Sequence, residues 1–308
     1  NRHFAKVHSL YQLASSTFND FYPDTPIIKN ELINREKISG ASVHAAKNLL
    51  KQMIQFSEKE SFGIEGYPPE KSIYLSLLKN TKIHRHGNAG YELAKPANKD
   101  HSLHKIWLDT LDFLEKNRDR KVTLNELFSR WSQPPYGMRR GIMPILAIAI
   151  FEAHQEKLAL FVDDLFFPDI DDYTINRLYH TPDSISFRFV ELAGFGKKTL
   201  KKVAEIFQNN NQKKKENALE VTKLIVQFVL NLKPLVKRTD RIKPQTLKIR
   251  TSILNGKDPF ELLFKELPAA CGMKVGGKLG EMSEDNAKKF PLLIKESLNE
   301  LKKKELEF

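Results

Sequence analysis

The chain has 308 residues, 41% of them hydrophobic and 29% charged, a composition that can bury ordinary cores in about two domains. Its single cysteine excludes an internal disulfide and a cysteine-based zinc site, and it favours a reducing, cytoplasmic location. The longest apolar run, residues 142–151, is about half as long as a ~20-residue membrane span, so no membrane partner is expected.

Residues 1–95 are predicted to form a helical domain. The chain begins without Met and without a signal-peptide pattern, so we expect a piece of a longer protein. An apolar stripe over residues 43–56 is typical of a helix packed on a core, and Ser39 or Ser42 could cap that helix. A Gly/Pro turn precedes a further helix from Pro69. The Gly/Asn/Pro-rich stretch that follows indicates a loop or short hairpin and ends the domain.

Residues 96–190 are predicted to form a winged-helix-like domain with a β-hairpin. An amphipathic helix is followed by a short strand, a helix, a Pro-Pro-Tyr-Gly turn, a very apolar helix and two short β-type runs. Thr123 and Glu126 have the spacing of a capping box. Asp163 and Asp164 suit the two-residue turn of the hairpin. The order of these elements is that of a winged helix.

The helix in the reading position, residues 141–155, is too apolar to present polar side chains to base edges. We expect it to be buried on most sides. Only Arg139 and Arg140 at its start, with the N-terminal amides, could meet a phosphate. Tyr136 is expected to pack under the preceding turn, with Gly137 in a conformation that other residues would resist.

The same predicted domain, residues 96–190, also contains two tryptophans, a candidate helix cap and a candidate strand. Trp107 and Trp131 lie on apolar helical faces and are predicted to be core anchors. Asp171 or Asp172 could cap a short helix. Apolar and polar residues alternate over residues 185–189, which predicts a half-buried strand.

Residues 191–308 are predicted to form a basic helical region. Between residues 190 and 250 there are 15 Lys or Arg against 5 Asp or Glu, a clustering that can attract phosphate backbones, although a solvated helical face is the plainer reading. The run LAGFGKKTLKKVA resembles the helix-hairpin-helix element of DNA-binding proteins, with a plain turn before a basic helix as the alternative. The residues expected to contact nucleic acid are Arg139, Arg140, Gly194, Gly196, Lys197, Lys198, Lys201, Lys202, Lys237, Arg238 and Arg241.

No complete active site is visible. Neither Gly/Lys run has the P-loop pattern, so no ATP binding and no cofactor is predicted. His84 and His86 form a weak ligand pair without a third ligand at helical spacing. The aspartates between 163 and 172 suit a turn and a helix cap, and their crowding leaves only a weaker hypothesis of a Mg²⁺-dependent nuclease. No catalytic or metal-binding residue is therefore predicted.

Three stretches together resemble the region downstream of the nucleotide-binding domain in large bacterial ATPases of phage-defence gene clusters. They are NELINREKISGASVHAAKNLL, GIEGYPPEKSIYLSLL and RWSQPPYGMRRGIMPILAIAIFEAHQEKLALFVDDLFFP, and they span roughly residues 30–190. The resemblance implies a non-catalytic arm that helps an ATPase to assemble or to sense its target. It identifies Pro134, Pro135, Tyr136 and Gly137 as the shared turn.

The expected fold is thus mainly α with a small β component, in which helical units flank a central winged-helix-like domain. The leading hypothesis is an interaction module of a larger defence ATPase that contacts DNA phosphates without sequence preference, with other subunits or the ATPase domain as protein partners. The alternative is a pure protein-interaction scaffold without nucleic-acid contact. The scaffold predicts scattered basic residues and a large exposed apolar surface.

Overall fold

The computed structural model describes residues 2–35, 37–88, 90–167, 170–190, 199, 202–203, 206, 218–256, 258, 261–274 and 282–307. The chain folds as two compact units: the first contains residues 1–163 and 169–189, and the second contains residues 164–168 and 190–308. Helices predominate and strands are few, which confirms the mainly α class with a small β component. The predicted division into three domains remains a prediction.

The helices of the first unit are α1 (Arg2–Phe21), α2 (Gly40–Gln55), α3 (Pro69–Ile73), α4 (Ser102–Lys116), α5 (Leu124–Ser132), α6 (Met143–Ala153) and α7 (Asp172–His180). Its strands are β1 (His84–Gly87), β2 (Gly90–Leu93), β3 (Val122–Thr123), β4 (Leu158–Val162) and β6 (Ile185–Phe189). A π-helical turn, Tyr74–Lys79, continues α3, and short 3₁₀ turns lie at Glu60–Gly63 and Pro182–Ser184.

The local signals at two helix starts were predicted correctly. The Ser39 hydroxyl caps α2 by accepting the backbone N–H of Ser42 at 3.1 Å. In α5 both hydrogen bonds of the capping box are present, because Thr123 Oγ1 accepts from Glu126 N and the Glu126 carboxylate accepts from Thr123 N. These bonds satisfy backbone donors that a helix start leaves without intrahelical partners.

The sheet of the first unit has β6 as a central strand. β6 pairs antiparallel with β3 and with β4, so that Phe187 stands opposite Val122 on one side and opposite Leu160 on the other. α4, α5 and α7 also pack against this strand. Every residue of β6 is buried, including Arg188. The predicted half-buried strand was therefore wrong about its exposure, because both of its neighbours are strands and helices cover it.

The core of the first unit contains α6 and both tryptophans. α6 is buried at each position from Met143 to Phe151, as its composition predicts. Trp107 and Trp131 are fully buried, which confirms them as core anchors. Each indole N–H has a partner, since Trp131 donates to Thr110 Oγ1 at 2.9 Å and Trp107 donates to His154 Nε2 at 3.1 Å.

The predicted turn after β4 is present. Asp163 and Asp164 have φ angles of 49° and 64°, the pair of positive values that a type I′ hairpin turn requires. The short strand β5 (Leu165–Phe166) follows this turn.

The described part of the second unit is helical apart from β5. Its helices are α8 (Ala218–Asn231), α9 (Pro234–Arg238), α10 (Pro244–Asn255), α11 (Leu267–Ala270) and α12 (Glu284–Glu307), with a π-helical turn at Leu262–Glu266. Glutamates of α12 lie at the starts of two shorter helices. Glu305 accepts the backbone N–H of Lys233 before α9, and Glu300 accepts that of Lys243 before α10. A carboxylate is favourable there, because the N-terminus of a helix carries partial positive charge. Among the helices that the structure describes, none combines the length and the apolar character needed to cross a membrane.

Candidate functional site

The loop between α5 and α6 places two arginines at the surface. Arg139 and Arg140 are exposed just before α6, and within the described ranges neither guanidinium has a hydrogen bond or an ion pair. Because the body of α6 is buried, its side chains cannot meet base edges. What remains available to a phosphate is this pair of charges at the start of the helix.

The loop that carries these arginines is held by close backbone contacts. Met138 N donates to Trp131 O at 2.8 Å, and Asp24 N donates to Pro135 O at 3.1 Å. Gly137 has a φ of +54°, and a Cβ there would lie 2.8 Å from the ring of Tyr22. The prediction that Gly137 adopts a conformation unfavourable to other residues is confirmed.

Tyr136 lies buried beneath the turn, as predicted, next to an ion pair. Arg130 donates to both carboxylate oxygens of Asp109, at 2.9 and 2.8 Å. Burial raises the pKa of Tyr136 to about 12, and the neighbouring Asp109 carboxylate acts in the same direction. Tyr136 therefore keeps its proton at neutral pH, and this cluster positions the turn.

The second group of predicted contacts lies in the second unit. Arg238 and Arg241 are exposed, but Lys237 is half-buried and its ammonium donates to the carbonyl of Leu230. Lys202 is also exposed. The remaining predicted contact residues, Gly194, Gly196, Lys197, Lys198 and Lys201, lie outside the described residues.

One arginine in this basic stretch has a structural role that the sequence did not reveal. Arg250 is 4% exposed, and its Nη1 donates to Val236 O at 2.8 Å and to Thr239 O at 2.7 Å. These carbonyls lie at the end of α9, where a cation is favourable. Burial lowers the pKa of the Arg250 guanidinium. The charge density of a sequence window therefore overstates the charge that a ligand can reach.

The buried member of the histidine pair, His84, is explained by packing, whereas His86 is exposed. His84 is buried against Phe62 and Tyr91, its Nδ1 lies 3.0 Å from the Tyr74 hydroxyl, and its Nε2 lies 2.9 Å from Ser57 O. Burial lowers the pKa of His84. The neutral ring thus donates one hydrogen bond and accepts another, and neither nitrogen is left for a ligand.

Three aspartates of the cluster between residues 163 and 172 also have structural partners, while Asp169 lies outside the described residues. Asp171 caps α7 by accepting Thr174 N at 2.8 Å, and this hydrogen bond lowers the pKa of Asp171. Asp163 pairs with Arg177, and Asp172 pairs with Lys51. Within the described ranges, no three His, Cys, Asp or Glu side chains come together in a way that could hold a metal ion.

α1 presents an apolar surface to solvent. Five large side chains with helical spacing are each more than 60% exposed, a pattern unlike the single exposed apolar residues of ordinary surfaces. They are Leu10 at 64%, Tyr11 at 72%, Leu13 at 64%, Phe18 at 65% and Phe21 at 61%. The sequence suggested the helix but not that this face is left uncovered.

Comparisons with protein-family models, with curated proteins and with solved structures find no match to this chain.

Proposed function

We propose that this chain is a non-catalytic interaction module of a larger bacterial anti-phage defence ATPase, acting in the cytoplasm, with α1 as its protein-binding surface. The observation that carries the proposal is the row of five exposed apolar side chains on α1. Contiguous apolar surface of this kind marks interaction sites, because leaving it in water is unfavourable. The resemblance to defence ATPases supplies the class of partner.

The size of the effect follows from the exposed fractions. Fully burying a Leu or Phe side chain contributes about 1.5–3 kcal/mol. At Leu13 and Phe18 about two-thirds of the side chain is exposed. Burial of that part by a partner would contribute about 1–2 kcal/mol, or roughly 5- to 30-fold in affinity. A charge at either position would weaken binding more, since it would have to be desolvated.

The test is a calorimetric titration of this chain with the ATPase domain of the same protein, produced as separate polypeptides. Leu13→Asp and Phe18→Asp are expected to weaken binding by about 100-fold or more. Gln12→Asp is the matched control, because at about 100° per residue Gln12 lies on the opposite face of α1. Equal affinity of all four proteins would contradict the proposal.

We further propose that residues 102–162 with β6 form a winged helix used for packing. The order of α4, β3, α5, α6 and β4 supports this assignment, and β6 supplies the antiparallel strand between β3 and β4. The burial of α6 favours packing over base reading.

A second candidate function is sequence-indifferent contact with DNA phosphates. It is supported by Arg139 and Arg140, which are exposed and have no partner among the described residues. Fluorescent duplex binding across a salt series tests it, because each neutralised phosphate adds about 0.9 to the log–log slope. Arg139→Ala with Arg140→Ala should reduce the slope by roughly 1.8, while Arg118→Ala at another exposed arginine should leave it unchanged. Absence of duplex binding at low salt would leave the protein-binding function alone.

A further inference from the structure

A groove of about 610 Å³ lies on the first unit, between the segment around Asn30 and the helical segment formed by α3 and its π-helical continuation. This volume is in the range of ordinary ligand sites. The groove is lined by Ile27, Lys29, Asn30, Tyr67, Pro68, Lys71, Ser72, Leu75, Ser76 and Asn80.

Asn30 is a buried lining residue that joins the two sides of the groove by hydrogen bonds. It is 8% exposed, and its Nδ2 donates to Ser72 Oγ at 3.0 Å and to Ser76 Oγ at 2.9 Å. Its Oδ1 accepts the backbone N–H of Leu32 at 2.9 Å. The Ser76 hydroxyl itself donates a hydrogen bond to the carbonyl of Ser72 at 2.9 Å. Ser72 is exposed, and within the described residues its hydroxyl proton has no acceptor, so it can donate to a ligand.

The charge of the groove is positive. Its lining contains two lysines and no carboxylate. Lys29 is exposed and has no ion pair among the described residues, and Lys71 is held by a 2.8 Å hydrogen bond from its Nζ to Ile64 O. An ammonium has three donors, so two of those on Lys71 remain for an anion.

Tyr67 stands at the edge of this groove almost entirely in solvent, at 94% exposure. The backbone on both sides of Tyr67 is restricted. Gly66 before it has a φ of +64°, and Pro68 after it restricts Tyr67 to extended conformations. A ring displayed in this way contributes nothing to the core, but it offers a face on which a planar group can stack.

The wall next to Tyr67 is irregular in a way that often accompanies function. The chain leaves the α-helical pattern over Tyr74–Lys79, where Asn80 N donates to Leu75 O at 3.1 Å across five residues. Such π-helical turns are rare and occur frequently at functional sites. Here the turn carries Leu75, Ser76 and Asn80 into the groove lining.

We propose that this groove binds single-stranded nucleic acid, with one base stacked on Tyr67 and the adjoining phosphate bound by Lys29, Lys71 and the Ser72 hydroxyl. A positively charged groove with an aromatic platform is the arrangement that single-strand-binding proteins use. A single strand fits better than a duplex, because only an unpaired base can leave its neighbours to stack on a side chain. The site is separate from the α1 surface and from Arg139 and Arg140.

The test is fluorescence anisotropy of a labelled twelve-nucleotide oligo(dT) with the 308-residue chain at low salt. Tyr67→Ala is expected to weaken binding by about 5- to 150-fold, whereas Tyr67→Phe keeps the stacking face and most of the affinity. Tyr173→Ala, at a tyrosine of α7 that is 48% exposed, is the control and should have no effect. Lys29→Ala should lower the salt slope by about 0.7, and Lys99→Ala at another exposed lysine should not.

Three outcomes would overturn the proposal. One is the absence of oligo(dT) binding at low salt, and another is a Tyr67→Ala variant that binds like the wild type. The third is a duplex of equal length that competes as well as the single strand, which would show attraction to phosphates alone. Because Tyr67 and Lys29 are exposed, their replacement does not endanger folding, and unchanged tryptophan fluorescence would verify this.

Discussion

Gly141 offers a sharp test of how the loop before α6 is held. A Cβ at this position would lie 2.3 Å from the carbonyl oxygen of Ile33 and 2.9 Å from its carbonyl carbon and Cα. These are backbone atoms, so no rotamer change can relieve the overlap. Ile33 is 1% exposed, and it would have to move out of the core together with its segment. Gly141→Ala should therefore separate two parts of the chain that now touch.

The expected loss can be bounded. Overpacking that shifts backbone costs about 1–3 kcal/mol, and partial exposure of an isoleucine adds about 1 kcal/mol. We expect Gly141→Ala to lower the free energy of unfolding of the first unit by about 2–4 kcal/mol. Denaturant unfolding followed by tryptophan fluorescence reports this unit alone, since the chain has two tryptophans and both, Trp107 and Trp131, lie there.

Gly40→Ala is the matched control. Gly40 is the first residue of α2, and no atom lies within 4 Å of a Cβ built there. Its replacement should change the free energy of unfolding by less than about 0.5 kcal/mol. If Gly141→Ala were equally neutral, the close approach of this loop to Ile33 would be wrong, and with it the fixed position of Arg139 and Arg140.

Three further predictions concern the stability of the first unit and use the same fluorescence assay. Thr123→Ala removes half of the capping box with Glu126 and should cost about 1 kcal/mol; no loss would mean that the cap is not formed. Leu49→Ala empties a fully buried site in α2 and should cost about 2–5 kcal/mol; a loss below about 1 kcal/mol would contradict that burial. Burial lowers the pKa of His84 below its ordinary value of about 6.5. The unfolded chain then binds more protons below that pH, so stability is fully present above pH 6.5 and falls as the pH is lowered. His84→Gln should make this decline of stability with falling pH shallower. An unchanged pH dependence would refute the lowered pKa of His84.

Short-range patterns predicted much of this fold. The capping box, the helix cap at Ser39, the turn at Asp163 and the burial of α6 each depend on residues within a few positions of one another, where spacing limits geometry directly. Sequence patterns failed where the partner is distant. The exposure of β6 depends on β3 and β4, which are 23 or more residues away along the chain.

The candidate contact residues show the same limit. Composition could find the basic stretch, but it could not separate the exposed Arg238 from the buried Arg250, whose acceptors lie 11 and 14 residues before it. The groove beside Tyr67 was also not predicted, because Asn30 joins Ser72 and Ser76 across more than forty residues. The exposed Tyr67 and the buried Asn30, which both line this groove, are the observations from which we propose the site.

The contrast between α1 and α2 explains why a helix pattern alone cannot assign function. Both helices carry apolar residues at spacings of three and four, and sequence treats the two stripes alike. In α2 the stripe is covered within the unit, with Leu49 and Leu50 fully buried, whereas Phe18 and Phe21 of α1 are more than 60% exposed. Burial of the first stripe stabilises the fold and is therefore a requirement of folding. The second stripe gains little such stabilisation from the described residues, and what it would gain from a partner is the basis for proposing that α1 binds one.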